Sequence, residues 1–193
     1  PYEAGSATLE TLYGVIDLCL LFGLLAVHVA SADAGGLFGL AMVTLVASSQ
    51  KLGLTSGVSF VLPWAVFLGG FAQLFACIHD AKHNDTFGTT AFGAYALFWF
   101  GVGASWLIQM GVFGDKLAAT ADSKQLGVAF LGYLIFSLYM TIGAMETHKV
   151  LFAIFVLIDL LFVGLALSTW GIMHHAMHNL AAYSELFISL LAF

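Results

Sequence analysis

The sequence predicts an all-α polytopic membrane protein, a bundle of spanning helices. Of its 193 residues, 61% are hydrophobic and only 8% charged, against roughly 25% charged in a soluble domain. The apolar runs approach the ~20 residues that carry a helix across a bilayer, and they do not alternate as the ~10-residue strands of a barrel would. The charges collect in the short stretches between these runs. Together these features leave no room for a soluble domain.

Seven apolar segments can be drawn, over residues 9–30, 35–50, 57–78, 86–113, 126–145, 149–172 and 180–193. Their connections are Ser31–Ala34, Gln50–Ser56, His79–Asp85, Gly114–Gln125, Glu146–His148 and Met173–Asn179. Such short connections make neighbouring helices antiparallel. Asp115, Asp122 and Ser123 mark the connection after the fourth segment as the clearest loop. The fourth segment is long for one span, so a strong tilt or a break near Gly101 and Gly103 is expected. The last has 14 residues, about 21 Å at helical rise, and the chain is expected to stop inside that helix. Pro1–Thr8 lacks the basic start of a signal peptide.

The sequence has no arginine, and its five lysines are scattered; the net charge is −6. That excludes a basic surface for nucleic acid. Cys19 and Cys77 sit in apolar runs and suggest neither a disulfide nor a redox motif. Gly35 and Gly39 have the small-xxx-small spacing of close helix contacts. Gly69–Gly70 precedes Gln73, an amide deep in an apolar run that needs a hydrogen-bond partner, a water or a ligand.

Asp17, Asp159 and Glu185 are ionisable residues within spans, and a carboxylate at membrane depth is costly unless protonated, paired or wetted. Asp159 is the most central, and lining a wet path or making a structural hydrogen bond fits it equally. Asp17 suits packing or an interface, and Glu185 lies near enough to its segment start to reach the interface.

His79 and His83 have i, i+4 spacing, and His174, His175 and His178 form a second cluster. They resemble the histidine boxes of membrane di-iron enzymes, since imidazoles so spaced can share a metal. Three spans separate the clusters, which puts them at opposite faces about 30 Å apart. No metal and no cofactor is therefore expected, and the histidines read as separate, pH-responsive interfacial groups. No phosphate loop, catalytic triad or CxxC pair suggests an enzyme.

The stretch Asp85–Gly101, DTFGTTAFGAYALFWFG, is apolar yet carries Thr86, Thr89, Thr90 and Tyr95. Helical spacing gathers Thr86, Phe87 and Thr90 near one side. Two readings fit that stripe: the wall of a narrow path, or a helix contact held by threonines.

Residues 69–99 resemble the acetate uptake transporter family, also called the GPR1/FUN34/YaaH family. The resemblance rests on GG-x-x-Q ending at Gln73, an acidic residue at Asp80, and the run from Asp85 through Trp99. It continues with gaps over residues 34–193. It implies a six-helix transporter-type bundle, assembled as a homo-hexamer with one path per protomer, moving acetate and related small monocarboxylates, either proton-coupled or by channel-like passage. By the same resemblance the constriction is Leu40, Tyr95 and Ile158, with Gln73 on the path and Asp80 near its mouth. Thr86, Phe87, Thr90 and Phe92 belong to the same signature. An aliphatic and aromatic gate blocks hydrated ions while passing a small acid.

Two departures stand out. Where the family has NPAPLGL beside the substrate, this chain has Ser31–Leu37, retaining only Gly36 and Leu37. Residues 1–33 also add an extra N-terminal transmembrane helix before the family core. The partners implied are a small carboxylate, the lipid bilayer and further copies of the chain, with a plasma membrane favoured over an organelle membrane. The alternative is a degenerate, non-transporting member serving as a structural subunit of a larger membrane assembly.

Overall fold

The computed structural model describes residues 32–193, so the expected helix over 9–30, Asp17, Cys19 and the motif residue Ser31 lie outside the described residues. The described residues are helical: α1 (Ala32–Lys51), α2 (Val61–Lys82), α3 (Thr86–Gln109), the short α4 (Asp115–Ala119), α5 (Ser123–Ala144), α6 (Lys149–Thr169) and α7 (His174–Ala192). Four of them, α2, α3, α5 and α6, are long and apolar enough to cross a membrane.

Local chemistry sets the ends. Asp85 accepts a hydrogen bond from the Gly88 N–H (2.9 Å) and Asp122 one from the Lys124 N–H (2.9 Å), so each caps the first turn of its helix. His148 does the same for α6 through Nδ1, which accepts from the Val150 N–H at 3.3 Å. At the far ends, Gly111 (φ 75°) and Gly171 (φ 77°) occupy the left-handed region. Val112 N–H then reaches the Leu107 carbonyl and Ile172 N–H that of Leu167, the closure that ends α3 and α6.

Three expectations change here. The fourth segment neither breaks at Gly101–Gly103 nor reaches Phe113; α3 ends at Gln109, where Gly111 turns the chain. The loop after it holds the short helix α4. The connection read as Met173–Asn179 is mostly the first turns of α7, so that helix runs 19 residues from His174. Histidines are mediocre helix formers, and their polarity made an interior turn look like a loop.

Consecutive long helices run antiparallel, and α7 returns to pack on α1. The packing order α1–α2–α3–α5–α6–α7–α1 closes a ring, with its loosest seam between α3 and α5. Close backbone approaches tighten it. A Cβ on Gly39 would stand 2.5 Å from the Leu68 carbonyl oxygen, and one on Gly164 would stand 2.7 Å from that of Met177. Only glycine lets α1 meet α2 and α6 meet α7 at these separations.

Within α2, Ala65–Ala72 winds as a π-helix immediately before Gln73. Wider winding rotates everything beyond it relative to a regular helix, and such segments concentrate at functional sites. Here it delivers Gln73 to the interior, where it is 1% exposed.

Candidate functional site: two cavities inside the helix ring

The ring holds two cavities, one toward each end. The first, about 620 Å³, opens beside Asp85, Thr147 and His148. Its walls are Leu37 and Leu40 of α1, Gln73 of α2, Phe87, Ala91, Phe92 and Tyr95 of α3, and Ile154, Phe155 and Ile158 of α6. The C-terminal Leu191–Phe193 stretch completes its rim. The second, about 250 Å³, lies at the opposite end among Lys51, Trp99, Val102, Trp106, Phe130, Leu161, His174, His178 and Glu185.

One helical turn separates them on two walls. Tyr95 lines the first cavity while Phe98 and Trp99 line the second; Ile158 lines the first and Leu161 the second. A turn is about 5.4 Å, so the partition is thin. Phe162, 1% exposed, backs it. Its ring lies nearly parallel to that of Tyr95 (6.4 Å, 16°) and edge-on to that of Phe98 (5.2 Å, 85°).

Leu40, Tyr95 and Ile158, expected at the constriction, all line the first cavity and are 8%, 6% and 4% exposed. Gln73 joins them, and its Nε2 has no hydrogen-bond partner among the described residues. That amide is the one donor in an otherwise apolar inner wall. The Tyr95 hydroxyl points elsewhere, to Ser137 Oγ at 3.0 Å. Its ring, rather than its hydroxyl, is what faces the cavity, because α5 carries a small polar partner within reach.

Of the signature residues, Phe87 and Phe92 line the cavity. Thr86 and Thr90 do not; both are exposed, and the Thr90 hydroxyl donates to the Thr86 carbonyl (2.7 Å). Thr86 and Thr90 therefore stand on the outer face of α3, away from the wall predicted for them. Asp80 is buried at the end of α2, where its carboxylate fills the space over Gly88 and lies 3.8 Å from His79 Nδ1. It joins α2 to the first turn of α3 outside the cavity lining. Gly36 packs against the Phe92 ring and Ala76, and Leu37 faces the cavity, so this remnant of the altered motif stands on the wall across from α3.

Asp159 makes one helix–helix hydrogen bond, while its other carboxylate oxygen, Oδ1, is buried with no partner among the described residues. Thr141 donates to Asp159 Oδ2 at 2.7 Å across the α5–α6 contact, and Asp159 lines neither cavity.

The second cavity is where reading the sequence fell short. Glu185 does not reach the interface: it is 2% exposed, and Lys51 Nζ donates to its Oε2 at 2.8 Å. His178 Nε2 lies 3.1 Å from the Lys51 carbonyl oxygen, and the His174 and His178 rings are stacked at 5.9 Å. The signal was present, since His174, His178 and Glu185 follow i, i+4, i+11 spacing and so share one helix face. His79 and His83 stack at the other end of the ring, and no cluster able to hold a metal occurs among the described residues.

Comparison with known proteins fits this architecture. The GPR1/FUN34/yaaH family matches residues 22–193. The chain is 32% identical over 145 residues to the succinate-acetate/proton symporter SatP of Escherichia coli (strain K12), covering 73% of this chain and 75% of that protein. It is 27% identical to acetate permease A of Emericella nidulans, covering 69% of this chain but 47% of the permease. The solved structure of the bacterial acetate channel SatP superposes with a TM-score of 0.76 at 28% identity, over 85% of this chain and 88% of the channel. These relatives are named as a symporter, a permease and a channel, and together with the apolar helices they mark the chain as an integral membrane protein. It belongs to the GPR1/FUN34/YaaH family.

Proposed function

We propose that this chain carries acetate and related small monocarboxylates across the plasma membrane, together with a proton. Residues 34–193 would form a six-span bundle and residues 1–33 add a seventh span. Assembly as a homo-hexamer, each protomer with its own path, goes with this reading.

The observation that carries it is the first cavity: apolar walls converging on Leu40, Tyr95 and Ile158, with the unpartnered Gln73 amide as inner donor. An acetate molecule has the matching halves, a methyl for the walls and a carboxyl oxygen for an N–H. A buried amide without a partner costs about 1–3 kcal/mol, a cost that a passing carboxyl group removes. Full carboxylate charge in such walls is expensive, which favours moving the acid with its proton.

The experiment is uptake of labelled acetate into proteoliposomes under an inward proton gradient, with protein-free vesicles under the same gradient measuring leakage of the undissociated acid, and with succinate and ammonium compared. Uptake well above that of protein-free vesicles is expected. Equal uptake with and without the protein sinks the proposal and leaves the structural-subunit alternative.

A further inference from the structure

The second cavity contains a buried ion pair with space beside it. Lys51 ends α1 and its side chain is 14% exposed; Glu185 lies in α7 at 3%. The cavity of about 250 Å³ adjoins both, space for several waters at about 30 Å³ each. A pair this enclosed is weak as a stabilising device, because desolvation offsets most of its attraction. A pair beside a cavity on the axis of the ring has another use.

We propose that Lys51 and Glu185 form a carboxylate-binding site in which the ligand's carboxylate replaces that of Glu185 on Lys51 as Glu185 takes up one proton. The occupant is a short aliphatic monocarboxylate. Its role as a stage of transport rests on the reading above, but binding itself does not.

Charge balance sets the stoichiometry. Empty, the site holds one ammonium and one carboxylate and is neutral. A carboxylate added alone would leave an uncompensated negative charge against the buried Glu185 carboxylate. Adding it with a proton on Glu185 leaves the ammonium paired with the ligand, a neutral acid at Glu185, and a net charge still of zero. The incoming group has the same chemistry as the one displaced, so Lys51 exchanges like for like. Release reverses both transfers.

The surroundings suit this exchange. On α7, His174 and His178 are the other titratable groups facing the site, and His178 holds the Lys51 backbone through its carbonyl. From α1, Gln50 faces the cavity beside Lys51; α6 contributes Ser168 and Thr169; α3 and α5 contribute Trp99, Trp106 and Phe130, none of them titratable. The aromatic walls would receive the ligand's alkyl end.

The test is calorimetric titration of acetate into the purified full-length protein in two buffers of different ionisation enthalpy, which reads protons taken up per acetate bound. Wild type is expected to take up about one proton and to bind more tightly as pH falls. Glu185→Gln is expected to bind with about no proton uptake and a flat pH profile. Either single change leaves one buried charge unpaired, so folding of Glu185→Gln is checked by its thermal midpoint, and in place of Lys51→Met alone the paired K51M/E185Q variant is used. It keeps the site neutral and is expected to fold yet lose this binding by tenfold or more. Wild-type binding without proton uptake, or an unchanged proton count in Glu185→Gln, or intact binding in the paired variant, would overturn the proposal. Flux retained alongside any of those results would leave the transport reading standing; absent flux with coupled binding would remove only the transport reading.

Discussion

The Tyr95 hydroxyl meets Ser137 Oγ at 3.0 Å across the seam where α3 and α5 touch least. This bond holds the tyrosine ring between the two cavities and occupies its hydroxyl, so the proposed pathway role falls to the ring. Removing the hydroxyl and removing the ring should therefore differ. Tyr95→Phe loses about 1 kcal/mol of stability and keeps acetate flux within a few fold. Tyr95→Ala removes a wall of the proposed constriction and is expected to raise the succinate-to-acetate flux ratio several-fold. Labelled fluxes in proteoliposomes separate the two; a loss of flux in Tyr95→Phe equal to that in Tyr95→Ala would mean that the hydroxyl handles substrate.

Gln73 should show the opposite balance of stability and function. Its amide is buried without a partner among the described residues, so Gln73→Leu removes a strained polar group and leaves a side chain of similar size. Thermal stability is expected to hold or rise, by about 1 kcal/mol. Half-saturation for acetate is expected to rise about tenfold, the equivalent of about 1.4 kcal/mol. A drop in both would mark the amide as structural.

The helical bundle and the core of the first cavity were readable because their signals are local. Apolar run length marked the four helices long and apolar enough to cross a membrane, and the family resemblance named Gln73 and Tyr95, which line one cavity. What escaped depended on packing. The π-helix of Ala65–Ala72 sets which way Gln73 faces, and no periodicity announces it. Thr86 and Thr90 share a helix side with Phe87 only loosely, and the ring's closure decided that the threonines face outward. Glu185 and Lys51 are 134 residues apart, so their pairing needed the return of α7 onto α1. Polar histidines at the start of α7 disguised that return as a loop.

Asp159 and Thr141 should affect folding and not flux. Thr141 supplies the hydrogen bond to Asp159 Oδ2, and Thr141→Val leaves that carboxylate without it. A loss of about 1–3 kcal/mol is expected, seen as a lower midpoint in thermal unfolding of the detergent-solubilised protein. Acetate flux per folded molecule should stay unchanged. A selective loss of flux with normal stability would bring Asp159 back to the pathway.

Two glycines offer a matched test of how the ring is held. At Gly164 an added Cβ would meet the Met177 carbonyl oxygen at 2.7 Å and the Ala181 nitrogen at 2.8 Å, both backbone atoms of the facing helix. Neither can swing aside, so Gly164→Ala must push α6 from α7, at a cost of about 1–3 kcal/mol. At Gly132, on the exposed face of α5, a Cβ meets nothing within 4 Å. There the same substitution improves helix propensity and should stabilise by about 0.5–1 kcal/mol. Because α7 also carries Glu185, Gly164→Ala should in addition weaken acetate binding at the Lys51 site, while Gly132→Ala leaves it intact. Thermal midpoints of opposite sign in the two variants would support this packing, and equal midpoints would show that α6 and α7 do not meet this closely.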